Sequence, residues 1–346
     1  MIKIYDTLSR KKKLIKSKKI NIFVCGPTVY DYTHLGHLRT YLTFDALVKF
    51  LKFLKYQPYY LVNITDVDDK IINRAREAKT SPFVIAKKFE KIFFQELKRL
   101  KINSINKFAR ASEHIPQIIN QIKILIKKGY AYQTIDGSVY FRTKKFKNYG
   151  KLSRQDISKL KDIEKNELKE DPLDFALWKG RNQNSDKYEP KWLSPWGYGR
   201  PGWHIEDTAI SEKYFGVQYD IHGGGIDLIF PHHECEIAQQ ESASGKSPFV
   251  KVWMHTGLLF VNGEKMSKSL KNFITLNDFN RNYPLRFFRF FILSHHWQST
   301  IDLNNKNLSE AWQKYFKLNE FVALLEKNKS HNSNTKPVKI QSKKLL

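Results

Sequence analysis

Cysteine and methionine are scarce in this 346-residue chain, with two and three copies respectively. Cys25 and Cys235 alone cannot build a disulfide framework, so a reducing compartment is the expectation. Acidic side chains are also few: 34 Asp and Glu stand against 60 Lys and Arg, for a net charge of +26. That imbalance points to a polyanionic partner, nucleic acid being the natural one. A codon bias toward Lys, Asn, Ile and Phe raises the charge equally well without any selection for binding. Long apolar runs are missing. The most apolar, Leu285 to Leu293, is broken by Arg286 and Arg289, so no bilayer span is expected. The first residues, Met1-Ile2-Lys3-Ile4-Tyr5-Asp6, carry no apolar core of a secretory signal. The expectation is a soluble, cytoplasmic protein that does not bind membranes.

What is present is a globular composition, 41% hydrophobic, long enough for two or three domains. Asn21 to Cys25 reads as a short buried strand closed by a Gly-Pro turn. Tyr41 to Leu54 has apolar residues at helical spacing, Tyr59 to Ile64 reads as a second strand, and a helix starts near Asp68. Strand–helix–strand order predicts a parallel α/β sheet. From about Phe108 the pattern changes. A helical stretch, Ile115 to Lys128, leads to a hairpin around Asp136-Gly137 and a Lys-rich stretch from Lys144 to Lys169. The α/β pattern then resumes: a helix from Trp203 to Tyr214, a strand at Tyr219 to His222, a helix from about Pro231 to Ser242, and a strand from Val252 to Val261. Pro284 opens a further helix, and Lys327 to Lys339 reads as a polar, mobile segment. The expected fold is α/β: a Rossmann-like parallel-sheet domain split by an insertion and followed by C-terminal helices. Its parts divide at 1–107, 108–200, 201–275 and 276–346.

Two motifs carry the chemistry. The first is Cys25-Gly26-Pro27-Thr28-Val29-Tyr30-Asp31-Tyr32-Thr33 followed by His34-Leu35-Gly36-His37; the second is Lys265-Met266-Ser267-Lys268-Ser269. The first lies between a strand and its helix, where open α/β sheets bind nucleotides. There His34 and His37 sit near a helix N-terminus whose dipole favours an anion. Gly36 leaves room for a flat base. Lys265 and Lys268 ride on a Ser- and Gly-containing loop able to close over phosphates. Taken singly, the first motif is equally a polar turn and the second a solvated loop. Together, in this order, they resemble class I aminoacyl-tRNA synthetases. Segments Cys25 to Asp45, Asn63 to Lys70, Gly199 to Glu206, Asp220 to Glu236 and Glu264 to Asn272 narrow the resemblance to cysteinyl-tRNA synthetases, over most of residues 1 to about 310.

That resemblance implies ATP-dependent activation of L-cysteine and its transfer to tRNA(Cys), with ATP entering as its Mg2+ complex and one Zn2+ per monomeric chain. It implies that His34, His37 and Lys268 contact the phosphates, with Lys265 assisting and Thr28, Gly36 and Ser267 completing the nucleotide site. It places Thr65, Trp203 and Asp227 around the amino acid; the residues themselves read equally as a helix cap, a core tryptophan and a turn aspartate. The implied metal ligands are Cys25, His232 and Glu236, with Asp207 where the family has a second cysteine. Zinc suits the task, because an apolar pocket separates one-atom differences such as cysteine from serine by only about 1–3 kcal/mol, whereas a borderline-soft cation prefers thiolate. Asp207 is a harder donor than thiolate. The neighbouring Cys235 offers another ligand, or is a small buried thiol.

Lys144, Lys145, Lys147, Lys151, Arg154, Arg281, Arg286 and Arg289 are candidate tRNA contacts, and Arg10 to Lys13 reads as a solvated hairpin. Family members continue into an anticodon-reading region, whereas this sequence stops at Leu346, so weaker anticodon discrimination is expected. Two alternatives share the motifs: a ligase joining cysteine to an amino sugar, and an RNA-binding pseudo-synthetase.

Overall fold

The computed structural model describes residues 2–155, 167–181, 186–266 and 272–331. β1 (Ile2–Asp6) and β2 (Lys11–Ile15) form an antiparallel hairpin turning at Arg10, with Lys13 paired to buried Asp6 at 2.7 Å. β3 (Lys19–Val24), α1 (Leu35–Phe53), β4 (Gln57–Ile64), α2 (Asp69–Glu77), α3 (Pro82–Arg99) and β5 (Lys107–Arg110) make the first half of the central sheet. α1 starts six residues before the expected Tyr41, and Leu35 and Leu38 in its first turns are fully buried. Its early turns bury Arg39, Thr40 and Thr43 beside apolar residues, so no clean amphipathic stripe marks them. Asp68 caps α2, accepting from the Lys70 N–H at 2.8 Å.

Next come α4 (Ile115–Lys127) and the strands β6 (Ala131–Gln133), β7 (Val139–Phe141), β8 (Phe175–Gly180), β9 (Trp192–Ser194) and β10 (Gly197–Pro201). These strands form an antiparallel sheet in the order β6-β7-β8-β10-β9, and β6 and β7 are the hairpin expected around Asp136-Gly137. α5 (Trp203–Phe215), β11 (Tyr219–Gly225), α6 (Glu234–Ser244) and β12 (Val250–Thr256) return the chain to the central sheet. That sheet is fully parallel, in the order β12-β11-β3-β4-β5. α6 continues a helical turn that starts at Pro231, as expected; Phe230 just before it is extended (φ −136°, ψ 134°) and marks the start.

The predicted strand from Val252 to Val261 is two strands. β12 stops at Thr256, and β13 (Leu259–Val261) joins β14 (Glu264–Lys265) and, later, β15 (Ile301–Leu303) in a separate sheet. Gly257 sits at the break. A Cβ there would lie 2.3 Å from the Ser299 carbonyl oxygen, so only glycine lets the chain pass this close. α7 (Leu276–Asn282) opens on a capping box of Thr275 and Asp278, α8 (Leu285–Leu293) follows Pro284, and α9 (Asn305–His331) closes the described chain. Within the segment expected to be mobile, 327–331 belong to α9 and 332–339 lie outside the described residues. No helix among the described residues is long and apolar enough to cross a membrane.

Alternation along β3 decides where the chemistry faces. Ile20, Ile22 and Val24 pack in one core with Leu38 and Leu42 of α1 and Phe288 of α8. Phe23 and the following Cys25 point to the opposite face, toward Ile210 of α5 and Ile237 of α6. Buried Arg39 locks α1 to the C-terminal part. Its Nη1 donates to the Leu258 carbonyl at 2.6 Å and its Nη2 to those of Trp297 and Ser299 at 3.1 and 2.5 Å. Burial lowers its pKa to about 10, so it stays charged at neutral pH.

Candidate active site and metal centre

His34 is the N-cap of α1, and its Nδ1 accepts from the His37 N–H at 3.3 Å. The two imidazoles stack with centroids 3.7 Å apart and planes 20° from parallel. Gly36 makes this possible: a Cβ there would lie 2.9 Å from His34 Nδ1. The pair therefore sits at the positive end of a 19-residue helix, two donors side by side where an anion is favoured.

In front of it opens a cleft of about 470 Å³. The cleft brings together Cys25, Thr28, His34, Gly36, His37, Trp203, Asp227 and Lys265, residues from widely separated parts of the sequence. Lys265 enters from β14, with its Nζ 3.8 Å from Asp227 Oδ2. Ser267 and Lys268 lie outside the described residues. Thr65 is buried beneath the floor, where Thr28 bridges to it, and donates a hydrogen bond to Glu206. Thr65 caps no helix; Asp68 does that.

At the deep end Cys25, Asp207, His232 and Glu236 present ligand atoms within 4.8 Å of one another. His232 Nε2 lies 3.2 Å from Asp207 Oδ2 and 3.1 Å from Glu236 Oε1, and Cys25 Sγ lies 3.9 Å from Glu236 Oε1. Two of the donors, Asp207 and His232, are fixed from behind. Asn63 Nδ2 donates to Asp207 Oδ1 at 2.5 Å, while Asn63 Oδ1 accepts from the Gly26 N–H at 2.6 Å. The Trp203 ring stacks on His232 at 4.2 Å, and His232 Nδ1 meets His204 Nδ1 at 2.8 Å. Cys235 is not part of the cluster: its Sγ lies 3.2 Å from the Tyr149 hydroxyl, a buried thiol on another face of α6.

Sequence reasoning missed His222 and His233. Both reach Cys25 Sγ, with their Nε2 atoms at 3.3 and 3.1 Å. The histidine ending the run before the triple glycine, and the second histidine of the doublet at 232–233, were the available signals.

Burial, followed by the Asp207 and Glu236 charges, pushes the Cys25 thiol well above its usual range. Burial and then Asp207 raise both Glu236 and Glu206. Burial also drives His222, His233 and His204 well below the usual imidazole value. Protein surroundings alone thus favour a protonated thiol and carboxyls beside neutral imidazoles. A dication reverses the first preference and uses the second, because neutral imidazole has a lone pair to give. Glu236 Oε2 is fully buried and accepts no hydrogen bond among the described residues. An orphaned carboxylate oxygen amid sulfur and nitrogen donors fits a divalent metal.

The expected nucleic-acid contacts divide. Arg289 faces inward: its Nη1 donates to the Leu100 carbonyl at 2.9 Å and lies 3.4 Å from Asp45, so it is a structural residue of α8. Lys151 is mostly buried against Glu241 at 2.7 Å. Lys144, Lys145, Lys147, Arg154, Arg281 and Arg286 are exposed.

A split parallel sheet with stacked histidines at the first crossover defines the catalytic domain of a class I tRNA synthetase. A family model described as tRNA synthetases class I (C) catalytic domain matches residues 11–313. The methionyl-tRNA synthetase of Mycobacterium tuberculosis, in complex with methionyl-adenylate, shares the fold with a TM-score of 0.64 at 15% identity, covering 84% of this chain and 67% of that one. The cysteine–tRNA ligase of Thermoplasma volcanium is 50% identical over 329 residues, covering 93% of this chain and 71% of the relative. That of Thermococcus kodakarensis is 49% identical over 313 residues, covering 89% and 64%. The chain belongs to the cysteine–tRNA ligase family.

Proposed function

We propose that this chain joins L-cysteine to ATP to form cysteinyl-adenylate and transfers the cysteinyl group to tRNA(Cys). The observation that carries the reading is the single cleft in which Cys25, the end residue of a four-donor cluster, faces the stacked pair His34 and His37. Attack of the cysteine carboxylate on the α-phosphate builds negative charge there. His34 and His37 at the α1 N-terminus, and Lys265 from the opposite wall, supply hydrogen bonds and positive charge where that charge develops. Ser267 and Lys268 complete the phosphate grip in this proposal.

Asp227 on the cleft wall is the acidic partner for the α-ammonium. Thr65 Oγ1 donates to Glu206 and accepts from Asn63 Nδ2 at 3.5 Å, which leaves one lone pair for an incoming donor. Trp203 closes the pocket over His232. Cys25, Asp207, His232 and Glu236 would hold a divalent ion; zinc there would favour the substrate sulfur over a serine hydroxyl. The exposed cations Lys144, Lys145, Arg281 and Arg286 are the proposed first contacts of the acceptor stem.

The test is cysteine-dependent ATP–pyrophosphate exchange, with and without a zinc chelator, followed by addition of tRNA(Cys). Exchange that chelation abolishes and charging of the tRNA support the reading. Absence of exchange from the metal-replete protein overturns it, and exchange with product formed only on an amino sugar reassigns the acceptor.

A further inference from the structure

The cleft lies past the C-terminal end of β3, where Cys25 follows the last strand residue. At the other end of the sheet, β3 and β4 begin side by side at Lys19 and Gln57, and a separate groove of about 580 Å³ opens there. A strand rise of about 3.3 Å per residue puts roughly 20 Å between Lys19 and Cys25.

Four rings and two ammonium groups wall the groove. Lys19 comes from β3, Lys52 from the last turn of α1, Tyr56 and Tyr59 from the entry to β4, and Tyr214 and Phe215 from the end of α5. Alternation along β4 buries Pro58 and Tyr60 and turns Tyr59 outward, 38% exposed. Tyr59 meets Phe215 edge to face, with centroids 5.9 Å apart and planes at 87°. Lys18 Nζ lies 4.5 Å from the centre of the Tyr56 ring, and Lys213 Nζ lies 5.8 Å from that of Tyr214. Cations and aromatic rings thus share the rim, and no carboxylate among the described residues lines the groove.

The polar groups here are uncommitted. Among the described residues, Lys19 and Lys52 form no ion pair, and the hydroxyls of Tyr56, Tyr59 and Tyr214 form no hydrogen bond. A fitting ligand offers flat faces to the rings and repeated negative charge to the ammonium groups. Single-stranded RNA offers both. Duplex RNA keeps its base faces stacked inside the helix. An acidic peptide supplies charge without a ring beside each one.

We propose that this groove binds single-stranded RNA, with phosphates against Lys19 and Lys52 and an unstacked base against Tyr59. The groove is separate from the cleft, so this binding is an additional activity of the chain and does not rest on the function proposed above.

Fluorescence anisotropy of the full chain with labelled decauridylate tests the site. Tyr59→Ala should weaken binding about tenfold, the scale of one lost base stack, and should leave the salt dependence unchanged. Lys19→Gln combined with Lys52→Gln should lower the slope of log K against log salt by about 1.4, the value for two contacts to a single strand. Pyrophosphate exchange by these variants should match wild type, which also shows that they fold. In the wild-type protein, photo-crosslinks from thiouridine-substituted decauridylate should fall on peptides holding Tyr56, Tyr59 or Tyr214, a readout that needs no variant. Wild-type affinity in both variants overturns the site, as do crosslinks confined to other peptides. A Tyr59→Ala loss as large on duplex RNA as on decauridylate overturns the single-strand assignment. Displacement of decauridylate by polyglutamate as readily as by unlabelled oligouridylate shows that charge alone is read, and overturns the choice of RNA. None of these outcomes alters cysteine-dependent exchange, which tests the cleft separately.

Discussion

Glu236 Oε1 stands 3.1 Å from the Nε2 of His232, four residues earlier, and together they meet Cys25 on the α5–α6 side of the central sheet. A strand residue and a helical segment more than two hundred positions away thus form one donor cluster. Strand alternation turns Cys25 toward the α5–α6 side, and the start of α6 presents the acid. Each step depends on local geometry that single substitutions can probe.

Gly36→Ala separates stability from catalysis. Alanine in a helix is favoured over glycine by up to about 1 kcal/mol, so the thermal midpoint should hold or rise. The new Cβ would press on His34 Nδ1 and displace the stacked pair. Misplacement on this scale costs on the order of ten- to a hundredfold in rate. Pyrophosphate exchange should show the loss in kcat, with little change in KM for cysteine; an unchanged kcat would remove His34 from the phosphate site.

Asn63 holds two parts of the pocket at once, the Gly26 N–H and the Asp207 carboxylate. Asn63→Ala leaves both without their partner. A stability loss of about 1–3 kcal/mol is expected from denaturant unfolding. KM for cysteine should rise roughly 10–100-fold, the usual effect of losing an outer-shell partner. A variant with normal KM would show that Asp207 needs no orienting.

Glu96 gives a pH signature from behind the cleft wall, where it meets the side chain of Thr33. It is buried on α3, and burial lifts its pKa from 4.5 to about 7. The folded state then binds a proton that the unfolded state has released. Its contribution is therefore present below about pH 4.5 and lost as pH rises toward 7. Unfolding of Glu96→Gln measured from pH 4.5 to 7 should lose this downward component relative to wild type; parallel curves would show that Glu96 titrates normally.

Cys235→Ala is expected to keep zinc binding and exchange within about twofold of wild type, since its sulfur faces Tyr149 and lies outside the donor cluster. A thiol reagent should react with Cys235 only after unfolding, because burial pushes that thiol well above its usual range. Loss of metal from the variant would make Cys235 a ligand after all.

Much of the cleft was legible because motif residues sit at chain positions with fixed geometry: a strand end, a helix cap, a four-residue step. Cys25, His34, His37, Trp203, Asp227 and Lys265 meet for that reason. His222 and His233 were not legible, since their role depends on how β11 and the extended residue Phe230 aim two rings at one sulfur. The early start of α1 was hidden by its buried polar residues, and the split of Val252–Val261 by a long-range approach at Gly257. Arg289 looked like a surface cation in the sequence; only packing against Leu100 and Asp45 reveals it as an interior one. Distant contacts of this kind leave no local pattern.

The three carbonyls gripped by Arg39 have a mechanical consequence. The guanidinium sits two residues after His37 and clasps the backbone at 258, 297 and 299. The stretch leading into β15 and α9 is thereby riveted to the histidine end of α1. A displacement of the stretch entering β15 would therefore act on the end of α1 that carries the stacked histidines.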